Sequence, residues 1–362
     1  MEKYRIYGLF LILLSCSEAQ DRSVCDQLFS NCKCENGNRI VVCSGLKGFG
    51  IFPRPLPVEI VNFTVVDSNL GDIEPSYTDF GKYKHLKNIV IKSSTIRYLQ
   101  ACAISSLNSI DSIIFDTVRI DKIATNAFSH LSNITTLKVE NSDVYEIMKF
   151  AFHDISNVKT FTVSNVTIDK LDTSSVRDLY EISSIEIKDS RIKDVAYAPL
   201  QNITHVDKMR FVNNEIAENF CGLVDISPTN KMSTLRSVEF KENNLKCFKN
   251  VTMAIRAFSN RWTVTNNVCN GPDFLGGTKL EDLSNNDAYR TRSTELSVCG
   301  ASILTYDDHS CQSYKIDQGI LAPDQEYVYD DDDKNGSKTL KSEGLFLTIT
   351  ITLVTFISSL YI

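Results

Sequence analysis

A short apolar pattern returns about every 24 residues through the middle of this chain, and that spacing constrains the fold more than any other feature. It first reads Phe63-x-Val65-x-x-Ser68-x-Leu70-x-x-Ile73. Ile89, Ile91, Ser94 and Ile96 repeat it, then Ile113, Phe115, Val118 and Ile120, and so on to Val238, Phe240, Asn243 and Leu245. Aligned on the sixth position, residues 68, 94, 118, 142, 166, 190, 214 and 243 are separated by 26, 24, 24, 24, 24, 24 and 29. A second apolar series follows each copy: Phe128, Leu131, Ile134; Phe152, Ile155, Val158; Val176, Leu179, Ile182; Leu200, Ile203, Val206. The alternating part predicts a short strand with one buried face, and the three-residue spacing of the second part predicts helical or 3-10 turns on the return. Such units bury their apolar side only by stacking, so the chain folds as a solenoid.

This pattern resembles the extracellular leucine-rich repeat family, over Phe63 to Leu245. The resemblance implies an α/β-type right-handed superhelix with a concave parallel sheet of about eight strands, an irregular convex side of short helical or 3-10 turns, and disulfide-stapled caps. Asparagine is usual at the sixth position, where its side chain bonds adjacent coils as a ladder. Here only Asn214 and Asn243 keep it; Ser68, Ser94, Ser142 and Ser190 offer a hydroxyl, and Val118 and Val166 offer nothing, so a ladder broken in the middle is expected.

Cysteines flank the array. Cys25-x6-Cys32-x-Cys34-x8-Cys43 resembles the N-terminal cap of these proteins, and the family pairing implies Cys25 with Cys34 and Cys32 with Cys43. Downstream, Cys247, Cys269, Cys299 and Cys311 resemble a degenerate C-terminal cap, with Cys221 standing in for a missing member. Cys102 lies some five coils from Cys221, too far for a bond at ~4.8 Å per strand, and is expected as a buried thiol or the partner of a C-terminal cysteine.

The ends read as processing signals. Residues 1–19 have Lys3 and Arg5, the apolar run Ile6 to Leu14, and small Ser17 and Ala19 before a cut, the pattern of a signal peptide. Leu13-Leu14-Ser15-Cys16 also has the form of a lipobox. At the other end, Asn335-Gly336-Ser337, a polar spacer and the uncharged run Leu345 to Ile362 match a GPI-attachment signal with Asn335 as the attachment site; a transmembrane helix is the rival. The expected organisation is 1–19 leader, 20–60 N-terminal cap, 61–246 repeats, 247–315 C-terminal cap-like region, 316–335 acidic stalk and 336–362 propeptide or membrane tail. Asp330 to Asp333 followed by Lys334 has the form cleaved by enteropeptidase, within an acidic stalk where Tyr327 and Tyr329 stand in tyrosine-sulfation contexts. Sequons at Asn62, Asn133, Asn165, Asn202 and Asn250 are candidate glycosylation sites.

Catalysis needs a nucleophile or acid–base pair in a cleft. No such motif appears, and His85, His130, His153, His205 and His309 read as scattered surface residues on return segments or in the tail. A net charge of −7 argues against a nucleic-acid partner. No cofactor or metal is expected. The outward positions of the strands instead offer a broad face to a protein, with Val66, Val90, Lys92, Ile114, Asp116, Lys138, Glu140 and Lys188 as candidate contacts. The reading is a cell-surface, GPI-anchored glycoprotein that binds an extracellular protein ligand or co-receptor in adhesion or ligand capture. The alternatives are an accessory subunit of a receptor or channel and a shed matrix protein.

Overall fold

The computed structural model describes residues 24–26, 31–48, 53, 55–75, 78, 80–196, 199–218, 235–247 and 262–292. The chain divides into compact units of residues 1–320 and 321–362. All of the second lies outside the described residues, as do the expected leader with Cys16, Cys221, Asn250, Cys299, Cys311, Tyr327, Tyr329 and Asn335.

The first unit is a parallel β-solenoid. Strands Asn62–Val66, Asn88–Lys92 and Ser112–Asp116 pair in succession, and the ladder continues through residues 136–140, 160–164, 184–188 and 208–212 to Ser237–Lys241. One further strand joins at either end: Ile40–Ser44 on Asn62–Val66, and Trp262–Thr265 on Ser237–Lys241. Alternation sets the faces, so Phe63, Val65, Ile89, Ile91, Ile113 and Phe115 are buried. Each such side chain contributes about 1.5–3 kcal/mol by leaving water. Phe115, Phe128, Phe152 and Phe161 pack in series, the Phe128 and Phe152 rings stacked at 4.6 Å.

The return side departs from the expected helical turns. Phe80–Lys82 is a 3-10 turn, but Phe128–Ile147 and Phe152–Leu171 are continuous strands whose return halves also pair in parallel, Leu131 with Ile155 and Ile134 with Val158. Backbone handedness explains this. In an unbroken strand inward positions recur every two residues, whereas here they recur every three. His130 and Asn133 stand at φ 51° and 55°, Asp154 and Asn157 at 52° and 49°, and Asp178 and Glu181 at 55° each. One left-handed residue per step resets the alternation, so Phe128, Leu131 and Ile134 all point inward. A further left-handed residue closes each sheet strand, at Thr117, Asn141, Asn165, Asp189 and Asn213. Most of these corners are Asn, Asp, Ser or His, the types that tolerate the conformation, whose cost is roughly 1–2 kcal/mol for an L-residue.

Corner side chains bond the preceding coil. Asn133 donates from Nδ2 to Asn108 (2.8 Å), Asn141 to Asp116 (2.9 Å), Asn165 to Asn141 (2.9 Å) and Asn213 to Asp189 (2.8 Å).

Inside, the sixth-position ladder is broken as its residues dictate. Leu46 N–H donates to Ser68 Oγ and Ser68 N–H to Ser94 Oγ, each at 3.1 Å. Val118 and Val166 have no side-chain acceptor, so the ladder restarts at Val118 N–H to Ser142 Oγ (3.0 Å) and Val166 N–H to Ser190 Oγ (3.2 Å). Backbone pairing spans the gaps: Arg119 N–H donates to Ser94 O (2.9 Å), and Ser142 lies opposite Val166 in the parallel ladder. From Ser190 the ladder runs unbroken through Asn214 and Asn243 to Asn267.

Cys25 is joined to Cys34 and Cys32 to Cys43 at the N-terminal end, where Cys32–Glu35 pairs antiparallel with Ile40–Ser44. Cys247 is joined to Cys269. Cys102 is buried and disulfide-bonded, with its partner outside the described residues, which corrects the expectation of a thiol there. The helical segments Asp273–Leu275, Leu280–Asn285 and Asp287–Thr291 follow, with Leu275, Leu280, Leu283 and Tyr289 buried among them.

Candidate ligand-binding face

Strand register arranges the outward side chains of the main sheet in two rows, one rung (~4.8 Å) per coil. The first runs Val42, Thr64, Val90, Ile114, Lys138, Thr162, Glu186, Arg210, Glu239, Thr263. The second runs Ser44, Val66, Lys92, Asp116, Glu140, Ser164, Lys188, Val212, Lys241, Thr265.

The structure therefore brings Val66, Val90, Lys92, Ile114 and Asp116 together on three adjacent strands. Val66, Val90 and Ile114 are half-buried, and nothing in the described residues lies over them as a further layer of sheet. Val42, on the cap strand, extends the apolar group. It was missed by sequence reasoning, although Val41-x-Cys43 carries the inward alternation that would have placed it. Lys92 Nζ lies 3.1 Å from Asp116 at the edge of this group. The Asp116 carboxyl is held below its ordinary range by the Asn141 amide first, and then by Lys92 and Thr117.

Of the other predicted residues, Lys138 and Glu140 stand on the next strand, opposite Ile114 and Asp116, and Lys188 stands farther off. Lys138 pairs with Glu140 on its own strand (2.6 Å), and Lys188 lies three rungs beyond Asp116, paired with Glu186 (3.2 Å). Arg210 bridges Glu186 (Nη1 to Oε1, 2.5 Å) and Glu239 (Nε to Oε2, 2.8 Å), which raises its guanidinium pKa and keeps the Glu239 carboxyl low. This half of the sheet satisfies its own charges.

The histidines on the return side are less scattered than their sequence positions imply. His130 Nδ1 meets Asp154, and His153 Nε2 meets Asp178 Oδ2 at 3.0 Å, one coil on in each case. The Asp154 carboxyl is kept low by His130. Burial pushes Asp178 up, and the bonds from His153 and Asn202 outweigh it, so its net shift is downward. No group of three or more His, Cys, Asp or Glu able to hold a metal occurs among the described residues.

Comparison with known proteins bears on the array itself. Residues 75–204 match, in six copies, the model of the BspA type leucine rich repeat region. The array belongs to the leucine-rich repeat family. Leucine-rich repeat arrays serve as protein-interaction scaffolds, and no enzymatic family is indicated for this one. Among solved structures, a chain of the "Octameric complex of Latrophilin 3 (Lec, Olf), Unc5D (Ig, Ig2, TSP1) and FLRT2 (LRR)" aligns over 75% of this chain and 99% of that one. The identity is 11% and the TM-score 0.19, too low to carry an argument. No curated protein sequence matches. Three disulfides among the described residues are those of a chain that folds in an oxidising compartment, as secreted proteins do.

Proposed function

We propose that the chain captures an extracellular protein partner on the N-terminal half of its main sheet, acting at the cell surface in adhesion or as a co-receptor. The observation that carries this reading is the contrast within one sheet. Val42, Val66, Val90 and Ile114 lie half-exposed on neighbouring strands, where a partner's apolar side chains would gain by covering them, while the C-terminal strands spend their charges on one another. Attachment at Asn335 through a GPI anchor fits the small residues and apolar run of 335–362. No helix among the described residues is long and apolar enough to cross a membrane, and 345–362 lies outside them. Asn133 and Asn165 are exposed at their corners, open to glycans, and Asn62 and Asn202 are half-buried.

The test is a binding screen of the purified chain against arrayed cell-surface ectodomains, repeated with Val90→Glu plus Ile114→Glu. A partner lost by the double variant and kept by Arg210→Ala supports the reading; a partner bound equally by all three chains refutes it. Release of the protein from intact cells by phosphatidylinositol-specific phospholipase C tests the anchor separately.

A further inference from the structure

One turn of the return side has a charge pattern unlike the rest. Lys82, Lys84, His85 and Lys87 fall within six residues, immediately after the buried Phe80. The turn is fixed from within. Tyr83 N–H donates to Phe80 O (3.0 Å), Leu86 N–H to Tyr83 O (3.1 Å), and the Tyr83 hydroxyl accepts from Leu56 N–H (3.1 Å). Tyr83 and Leu86 point into the core at 7% and 2% exposure, so the basic side chains between and beside them are turned outward. Lys82 lies 5.2 Å over the Tyr83 ring, and Lys87 Nζ donates to Ser109 O at 2.7 Å.

None of the four has a carboxylate within ion-pair distance among the described residues. Elsewhere in the array, Lys92, Arg97, Lys122, Lys138, Lys170 and Arg210 all have one, on the same or a neighbouring coil. On the adjoining rung the exposed Asp111 meets Lys87 through the backbone, its N–H donating to Lys87 O (2.8 Å). Among the described residues, a chain of net charge −7 thus has a turn of closely spaced basic side chains with no ion-pair partner.

We infer that this turn is a second binding site, separate from the face above, and that its ligand is a sulfated polysaccharide of the heparin class. Closely spaced cations with no partner of their own gain most from a polyanion, through release of its condensed counterions. An anionic bilayer is less suited, because the apolar residues of the turn face inward and leave nothing to insert. An oxidising setting also favours an extracellular polyanion over nucleic acid.

The experiment is binding of the purified full-length chain to immobilised heparin over a range of salt. A triple variant, Lys82→Gln, Lys84→Gln, Lys87→Gln, is set against a control that removes three scattered exposed lysines, Lys159→Gln, Lys208→Gln, Lys279→Gln. The wild type and the control are expected to bind. The slope of log affinity against log salt falls by about three in the turn variant, roughly one per lysine. Thermal unfolding confirms that both variants are folded. The inference is overturned if the wild type does not bind heparin, if both triples weaken binding alike, or if phosphatidylserine vesicles or duplex DNA bind as tightly as heparin.

Discussion

The two halves of the main sheet share a backbone and differ in nearly everything hung on it. From Ile40–Ser44 to Ser112–Asp116 the outward rows are largely apolar or small, and the inner ladder is made of serine. From residue 184 onward the outward rows are tied together by Glu186, Arg210 and Glu239, and after Ser190 the inner ladder is asparagine. A serine hydroxyl that accepts from the preceding coil has one proton left, and each donates it two residues back, as Ser68 does to Val66 O (2.7 Å) and Ser190 to Lys188 O (2.7 Å). A carboxamide reaches further. Asn243 accepts from Asn214 N–H (3.0 Å) and Nδ2 (2.9 Å), and donates to Phe211 O (2.8 Å) and Asn267 Oδ1 (2.9 Å). Parallel pairing thus holds the coils whatever the ladder does. The amide ladder adds rigidity at one end, and the other end is left with an uncommitted surface.

Removing one asparagine and one serine of the ladder measures that difference. Asn243→Ala strands several buried donors and acceptors at once and is expected to cost about 3–5 kcal/mol in denaturant unfolding. Ser142→Ala removes only the acceptor for Val118 N–H and the bond to Glu140 O, and is expected to cost about 1–2 kcal/mol. Equal costs would mean that the two ladders are equivalent.

Acid probes the return side. Asp154 and Asp178 titrate below the ordinary 3.8, and a carboxylate with a depressed folded pKa stabilises above its unfolded value and loses that contribution as pH falls through the folded one. Tm is therefore expected to drop below about pH 3.8, with a smaller drop in the same window for His130→Gln, followed by circular dichroism. The smallest effect belongs to the solvent-facing ion pairs. Arg210→Ala should cost no more than about 1 kcal/mol, a cost that added salt erodes. A larger, salt-insensitive loss would show that the C-terminal face is more than self-neutralised surface.

Much of this was legible in the residues. The repeat spacing places the inward strand positions from Phe63 to Phe240, and the outward rows between them. The return side was not, because a three-residue apolar spacing fits a 3-10 turn and a left-handed reset of an extended chain equally well. The cue that separates them lies in the polar residues, with His130, Asp154, Asp178 and Asn202 recurring where a left-handed corner is needed. The ladder's last member, Asn267, is 24 residues past Asn243, inside the segment read as cap. Trp262 and Cys269 in the places of aliphatic residues obscured the copy. The His–Asp pairs were hidden because neither partner is near the other in sequence. Only the register makes residues 24 apart into neighbours.

That register has a consequence for how such a chain changes length. A coil touches the coils before and after it through contacts at intervals of about 24, so duplicating or deleting one whole unit returns every remaining side chain to a seat of the same shape. Each event lengthens or shortens the stack by ~4.8 Å and keeps the backbone register, changing only the side-chain partners at the junction. The coil works as the graduation of a ruler, and the distance from the apolar strands to the far end of the stack can be reset in such increments while both ends keep their chemistry.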